Sequence, residues 1–228
     1  MVNSETLERF DQKVQELLWS ARKQTIELMN TPLKVDTKSS ANDLVTNVDR
    51  QNEQLIRKRL LEIDPSARIV GEEESFNHKI DPDLNGNVWI IDPIDGTLNF
   101  VKQRDHFAIM VALYCDGVPT LGYIMDVMNK RLYHAWRGHG AYVNKLRLKE
   151  PANSSLADSL IAINGWQLIK NHCHQQEIAQ QAAGLRIIAE ELGLLVKTID
   201  DQPLNVLSSN TVLVATKKVC QDIWQITK

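Results

Sequence analysis

The spacing of apolar residues changes once along the chain, and this change constrains the fold more than any other feature. Up to residue 64 apolar residues recur every three or four positions, which predicts amphipathic helices over 4–29 and 50–63, with a polar loop or loose hairpin between them. After Asp64-Pro65 the chain continues as short runs rich in β-branched and aromatic residues, separated by turn residues. Helices followed by a series of strands indicate an α+β fold built in layers.

The strand-like runs form one group in the middle of the chain, and the last third is less regular. Strands are predicted over 67–70, 88–91, 107–114, 119–125, 131–136 and 142–143, in an antiparallel meander. Further elements are predicted as strands over 159–163 and 212–215 and helices over 166–181, 182–192 and 219–226. We predict a single domain over 1–228, with an N-terminal half over 1–150 and a C-terminal half over 151–228.

Composition excludes several classes of protein. The hydrophobic fraction of 43% and the charged fraction of 24% are typical of globular proteins, and the net charge of −3 gives no general support for nucleic-acid binding. Three widely spaced cysteines, Cys115, Cys173 and Cys220, do not form a disulfide framework. The N-terminus lacks the pattern of a signal peptide, and no apolar run approaches the roughly 20 residues of a membrane span. We therefore predict a cytoplasmic protein that does not bind membranes.

Two carboxylates follow the most apolar of the predicted strands. The run Asp92-Pro93-Ile94-Asp95-Gly96-Thr97 comes directly after 88–91, so that a strand delivers two acids to one tight turn. Carboxylates are the ligands that Mg²⁺ prefers in proteins. The Gly-Thr step offers backbone N–H groups and a hydroxyl to an anion. The sequence therefore predicts a place where a metal ion and a phosphate meet.

A second group of acids follows another predicted strand. Glu72, Glu73 and Glu74 come after 67–70, and neighbouring strands would bring Glu72 beside the acids of 92–97. Three carboxylates in one place repel each other unless a cation compensates them. Each feature alone also has a plain structural explanation, since acidic segments are commonly solvated loops and Asp-Gly is a common turn. The run 92–97 together with Glu72 upstream is a much more specific indication of a metal site than either segment alone.

Four motifs of the chain resemble those of one enzyme family. The run 92–97 matches, without a substitution, the signature of the inositol monophosphatase family of Mg²⁺-dependent, lithium-sensitive phosphatases, and 71–73 is similar to its glutamate-bearing motif. The segments 44–49 and 138–144 resemble its L-V-T-x-x-D segment and its G-x-G-A hairpin. The resemblance implies a layered α/β/α/β/α sandwich, a small phosphorylated substrate such as inositol monophosphate, and a homodimer.

The resemblance also implies a set of metal ligands. Glu72, Asp92 and the backbone carbonyl of Ile94 would hold the first Mg²⁺, and Asp92 and Asp95 would contribute to a second, in a family with two or three metal sites. Lys38 would either steady the polar loop near the site or be an ordinary exposed lysine.

Catalysis and substrate binding are assigned by the same resemblance. Asp49 and Thr97 would pair by a hydrogen bond and, together with Glu72, activate the attacking water. Gly96 and Thr97 would cradle the phosphate through backbone N–H groups, and Asp95 would also face the substrate.

The C-terminal half departs from the family pattern. A second family signature, W-D-x-A-A-G, is represented here only by 182–184, with Ala179 and Gln180 in the places of its Trp and its metal-binding Asp. A neutral glutamine is a poor ligand for a hard dication, so the second metal site is expected to be weak. We predict that some tens of residues are missing just before this triplet. The alternative is divergence, with Asp200 or Asp201 taking over the missing role.

Two functions from different classes follow from these observations. The first is a phosphomonoesterase that uses Mg²⁺ and a water molecule to hydrolyse a small phosphorylated alcohol. The alternative is a catalytically impaired relative with a binding or regulatory role in RNA processing or transcription, where nucleic acid or the transcription machinery would be the partner. A zinc site at 172–174 is disfavoured, because adjacent residues on a helix point in different directions.

Overall fold

The computed structural model describes residues 2–38, 44–72, 83–158, 177–198, 201–203 and 212–226. Within these ranges the α-helices are α1 (Ser4–Leu28), α2 (Asn47–Ile63), α3 (Thr97–Gln103), α4 (Glu177–Glu191) and α5 (Lys217–Ile226). The strands are β1 (Val35–Thr37), β2 (Leu44–Thr46), β3 (Arg68–Gly71), β4 (Asn87–Asp95), β5 (Ala108–Cys115), β6 (Val118–Asp126), β7 (Arg131–Trp136), β8 (Gly140–Val143), β9 (Leu146–Arg147), β10 (Leu195–Thr198) and β11 (Val212–Ala215). None of the described helices combines the length and the apolar composition needed to cross a lipid bilayer.

The two N-terminal helices begin at side-chain caps. Asn3 caps α1 by accepting a 2.8 Å hydrogen bond from the backbone N–H of Thr6. Helix α2 begins at Asn47, three residues before the predicted start at Arg50, because Thr46 and Asp49 form a reciprocal capping box. The polar segment before α2 is the predicted hairpin, made by antiparallel pairing of β1 with β2.

Seven strands form one mixed sheet in the order β3-β4-β5-β6-β7-β8-β9. Strand β3 runs parallel to β4, and every other pairing in this sheet is antiparallel. The α+β class and the antiparallel meander from β4 onward are therefore confirmed, whereas the prediction that 67–70 belongs to that meander is wrong. Strand β4 was predicted too short: it continues through Asp95 instead of ending at Ile91. Strands β9 and β10 were not predicted.

The sheet is covered on both faces, which explains why β4 is apolar at successive positions. Trp89 and Ile91 face the core formed with α1 and α2, whereas Val88 and Ile90 face the core formed with α4. Val212 and Val214 of the β10–β11 hairpin pack against that second core, and β11 is followed by α5. The layers follow in the predicted order: α1 and α2, the seven-stranded sheet, α4, the β10–β11 hairpin, and α5.

The C-terminal elements differ from the prediction in their bounds. Helix α4 begins at Glu177, five residues before the predicted 182, and Gly193 follows its end with a φ of +72°. Residues 195–198 form β10, which pairs antiparallel with β11. The predicted strand at 159–163, most of the predicted helix at 166–181 and the triplet 172–174 lie outside the described residues.

Candidate active site

The parallel pairing of β3 with β4 brings the two groups of acids together. Gly71, the last residue of β3, is paired with Ile91, so that Glu72 and Asp92 follow side by side at the carboxyl ends of neighbouring strands. Loops and residues at this edge are the usual place for ligands in parallel arrangements. The predicted approach of Glu72 to Asp92 therefore follows from the register of two strands.

An irregularity in β4 separates its two acids. Asp92 is opposite Met110 of β5 and Asp95 is opposite Ala108, so that β4 carries one residue more than its partner between these pairs. A β-bulge of this kind bends the strand and changes the direction of its side chains. The acids were predicted to lie in a tight turn, but they lie in a bulged strand, and the turn itself begins at Gly96.

Helix α2 supplies a fourth acid, Asp49, from a different direction. The capping box fixes the Asp49 carboxylate, whose Oδ2 accepts a 3.0 Å hydrogen bond from the Thr46 N–H and a second from the Thr46 hydroxyl. Its Oδ1 is 3.0 Å from the Thr97 hydroxyl, which also lies 2.9 Å from the carbonyl oxygen of Ile94. The predicted pairing of Asp49 with Thr97 is thus present, and it joins the start of α2 to the end of β4.

Gly96 is a glycine for a structural reason. Its φ of +83° is in the left-handed region, and a Cβ there would lie 3.1 Å from the carbonyl oxygen of His106. The Asn99 side chain donates a 3.1 Å hydrogen bond to the same carbonyl. The turn between β4 and α3 is therefore held against the loop that leads into β5.

Burial makes the three aspartates of this cluster hard to ionise, and neighbouring charges add to the effect at Asp92 and Asp95. Burial raises the pKa of Asp92 well above its ordinary value, and the charges of Glu72 and Asp95 raise it further. Burial, followed by the charge of Glu72, raises the pKa of Asp95 to about 6. The pKa of Asp49 is also raised by burial, although hydrogen bonds from Thr46 and Thr97 oppose the shift.

Lys38 places a positive charge beside these acids. Its Nζ lies 2.8 Å from Oε1 of Glu72, and the two side chains are only 6% and 16% exposed. The interpretation of Lys38 as an ordinary exposed lysine is therefore wrong. The ion pair joins the β1–β2 hairpin to the end of β3.

The donor atoms suit a hard dication. All of them are oxygens, and Oδ1 of Asp92 is buried without a hydrogen-bond partner in the described part of the chain. Across the described ranges, however, no three Asp, Glu, His or Cys side chains converge on one point as they stand. The Glu72 carboxylate instead accepts a hydrogen bond from Lys38, so its negative charge is compensated by the lysine ammonium group.

Gly184, the last residue of the triplet 182–184, has a packing role in the fold. A Cβ on Gly122 of β6 would lie 2.8 Å from the carbonyl oxygen of Gly184, and a Cβ on Gly184 would lie 3.1 Å from that of Tyr123. Two glycines thus allow α4 to lie directly on the sheet. This contact accounts for the glycine of the second signature.

Three residues that the sequence analysis singled out, Glu73, Asp200 and Gln180 with respect to its side chain, lie outside the described residues. Asp201, the other candidate to replace the signature aspartate, forms an ion pair with Lys197 of β10.

One acid next to the site was missed by the sequence reasoning. Glu53 is 4% exposed and lies against Gly71. It lies four positions after Asp49, which places both side chains on one face of the helix, but the predicted helix began only at residue 50 and did not include Asp49.

Comparison with known proteins gives one consistent result. The profile of the inositol monophosphatase family matches residues 4–186. The inositol-1-monophosphatase of Bacillus subtilis (strain 168) is 33% identical over 235 residues, covering 86% of this chain and 88% of that protein. A crystal structure of an IMPase/NADP phosphatase with Mg²⁺ and phosphate has a TM-score of 0.84 at 26% identity, covering 97% of this chain and 95% of that chain.

A shorter similarity connects the chain to a second kind of relative. The Nus factor SuhB of Pasteurella multocida (strain Pm70) is 35% identical over 125 residues, which are 55% of this chain and 46% of that protein. The alignment with the Bacillus protein has 235 positions but includes only 86% of the 228 residues here, so several tens of positions face gaps in this chain.

Proposed function

Because the chain belongs to the inositol monophosphatase family, we propose that it is a Mg²⁺-dependent phosphomonoesterase acting on a small phosphorylated alcohol such as inositol monophosphate. The observation that carries this proposal is the position of Glu72 and Asp92 at adjacent strand ends, beside the hydrogen-bonded pair of Asp49 and Thr97. Buried carboxylates that repel each other require a cation, and a hydrogen-bonded hydroxyl next to them can orient a water molecule.

In this proposal the metal is held by groups from β3 and β4. Glu72, Asp92 and the carbonyl oxygen of Ile94 would bind the first ion, and Asp92 and Asp95 would contribute to a weaker second site. The charge of Mg²⁺ would replace that of Lys38 at Glu72. When bound, Mg²⁺ supplies a water of lowered pKa and stabilises charge on the phosphate and the leaving oxygen.

Asp49 and Thr97 would position the attacking water. The Thr97 hydroxyl directs its proton toward Oδ1 of Asp49 and the carbonyl oxygen of Ile94, so its lone pairs point away from both and can accept a hydrogen bond from the water. The water oxygen would bond to phosphorus while the bond from phosphorus to the alcohol oxygen breaks. The proton lost by the water would move toward the Asp49 carboxylate, and the departing oxygen would gain a proton from solvent.

The remaining assignments concern the substrate and the C-terminal half. We propose that backbone N–H groups at Gly96 and Thr97 hold the phosphate and that Asp95 faces the substrate. The gaps in the Bacillus alignment support a chain that lacks several tens of residues. We propose that they are missing just before the triplet 182–184, which would leave the substrate wall of the 151–228 half incomplete. The single domain, the homodimer and the cytoplasmic location remain predictions.

Phosphate release in the presence and absence of metal tests the proposed function. We expect inositol 1-phosphate, a sugar bisphosphate or a nucleotide 2′- or 3′-phosphate to be hydrolysed with Mg²⁺, and EDTA to abolish release, because the acids alone cannot stabilise the developing charge. Li⁺ is expected to inhibit. Release that continues undiminished in EDTA would contradict the proposal.

Replacing Thr97 by Val should separate catalysis from binding. We expect kcat to fall about a hundredfold with little change in KM, because the hydroxyl that orients the water is lost while the shape is kept. Thr97→Ser is the matched control and should retain most of the activity. Equal loss in both variants would contradict a role for the hydroxyl.

A regulatory role is the second candidate, and it is supported by the similarity to Nus factor SuhB over about half of that protein. A chain that unfolds cooperatively, binds Mg²⁺ and releases no phosphate from any ester would favour this candidate. Mg²⁺-dependent turnover would favour the enzyme.

A further inference from the structure

Glu53 is a buried acid that has no part in the mechanism above. It lies on α2 one turn after Asp49, and it is only 4% exposed. A carboxylate is rarely buried to this extent unless a specific interaction compensates it. Arg57, one turn further along, places Nη2 4.0 Å from Oε1 of Glu53.

The Glu53 carboxylate lies directly against Gly71. A Cβ added to Gly71 would meet Oε1 and Cδ of Glu53 and would lie 2.8 Å from its Oε2. Gly71 is the last residue of β3 and immediately precedes Glu72. The contact therefore lies one residue from a proposed metal ligand, on the side of the strand that faces α2.

We propose that Glu53 is a positioning residue that holds the end of β3, so that Glu72 is directed toward Asp92. One face of helix α2 then orients two parts of the site. Asp49 is directed to Thr97 after β4, and Glu53, one turn later, lies against Gly71 at the end of β3. Because Gly71 has no Cβ, the Glu53 carboxylate can approach the strand at this point. The inference rests on the proposed function, in which Glu72 binds the metal.

Mg²⁺ affinity measured by isothermal titration calorimetry tests this role. Residues that support metal ligands typically change affinity by 10–100-fold when altered, so Glu53→Ala is expected to raise the Kd for Mg²⁺ by about tenfold or more. Glu53→Gln keeps the size and the hydrogen-bonding oxygen, and its Kd should stay within about threefold of the parent's. If Gln weakens binding as much as Ala, Glu53 acts through its charge and the positioning role is overturned.

Asn52→Ala is the matched control for loss of stability. Asn52 is the preceding residue of α2, is fully buried, and donates a 2.8 Å hydrogen bond to Thr25 on α1. Its replacement should lower the melting temperature without changing the Kd for Mg²⁺. A Kd raised equally by Asn52→Ala and Glu53→Ala would show that general destabilisation is the cause, which would overturn the inference.

A double-mutant cycle tests the contact itself by thermal unfolding in EDTA. Gly71→Ala should lower the melting temperature of the parent, because the new methyl group meets the Glu53 carboxylate, but should have little effect in the Glu53→Ala background. Additive effects would contradict the contact.

Mg²⁺ binding by the unmutated protein separates failure of the proposed function from failure of the positioning role. If the unmutated protein binds no Mg²⁺, both are overturned. If it binds Mg²⁺ no more tightly than Glu53→Ala does, the positioning role alone is overturned.

Discussion

Replacing Asp95 by Asn is expected to reduce Mg²⁺-dependent phosphate release by at least about a thousandfold while the protein remains folded. Several kcal/mol of transition-state stabilisation depend on the metal, and about 4 kcal/mol corresponds to a thousandfold in rate. Asparagine has nearly the same shape as aspartate but is neutral, and it is a weaker ligand for a hard dication. The loss should appear in a phosphate-release assay as a fall in kcat.

The stability of the same variant distinguishes a lost ligand from a damaged fold. Burial and the charge of Glu72 raise the pKa of Asp95 to about 6, so the ionised group is disfavoured in the folded protein without metal. The asparagine side chain of the variant has no charge to bury. In EDTA at neutral pH the melting temperature of Asp95→Asn should therefore equal or exceed the parent's, whereas added Mg²⁺ should raise it less than it raises the parent's.

Asp116→Asn is the matched control. Asp116 is a turn residue at the opposite end of β4, where its Oδ1 accepts a 2.9 Å hydrogen bond from the N–H of Gly86. Asparagine keeps this acceptor and tolerates the positive φ of 50° found there. Activity should be unchanged. An Asp95→Asn enzyme that keeps a tenth or more of parental turnover would contradict the proposed site.

Replacing Gly122 by Val should have the largest effect on stability. Its Cβ would lie 2.8 Å from the carbonyl oxygen of Gly184 and 3.0 Å from Cβ of Ile187. The first of these atoms is backbone, so the conflict is relieved only if α4 moves away from the sheet and opens the core beneath it. We expect a loss of about 4 kcal/mol, and a melting temperature lower by roughly 8–16 °C.

Thr120→Val introduces the same side chain two positions earlier in the same strand. Thr120 is buried, and its hydroxyl donates a 2.9 Å hydrogen bond to the carbonyl of Val118, so its replacement should cost about 1 kcal/mol. Both variants can be compared by thermal unfolding monitored by circular dichroism. A Gly122→Val protein that melts within a few degrees of Thr120→Val would show that α4 does not approach the sheet closely.

The sequence predicted best those helices and strands whose apolar spacing is visible within the element itself. Helix α1 was found within one residue of its end, and the strands from β5 to β7 within about one residue, because a buried stripe or run is visible locally. The start of α2 was missed because it depends on Thr46 and Asp49 capping each other, in a segment whose composition is that of a loop. The extension of β4 to Asp95 was missed because the bulge depends on pairing with β5.

The sequence by itself determined the chemistry that this chain can support. The order of apolar and acidic residues places carboxylates at the ends of two strands. The run 92–97 identifies the family whose signature it matches. Only the tertiary structure decided which groups meet: the parallel register that places Glu72 beside Asp92, the burial of Lys38 against Glu72, and the contact of Glu53 with Gly71. These contacts join residues from separate elements, and their energies depend on burial and on the nearest charges, which appear only when the layers pack together.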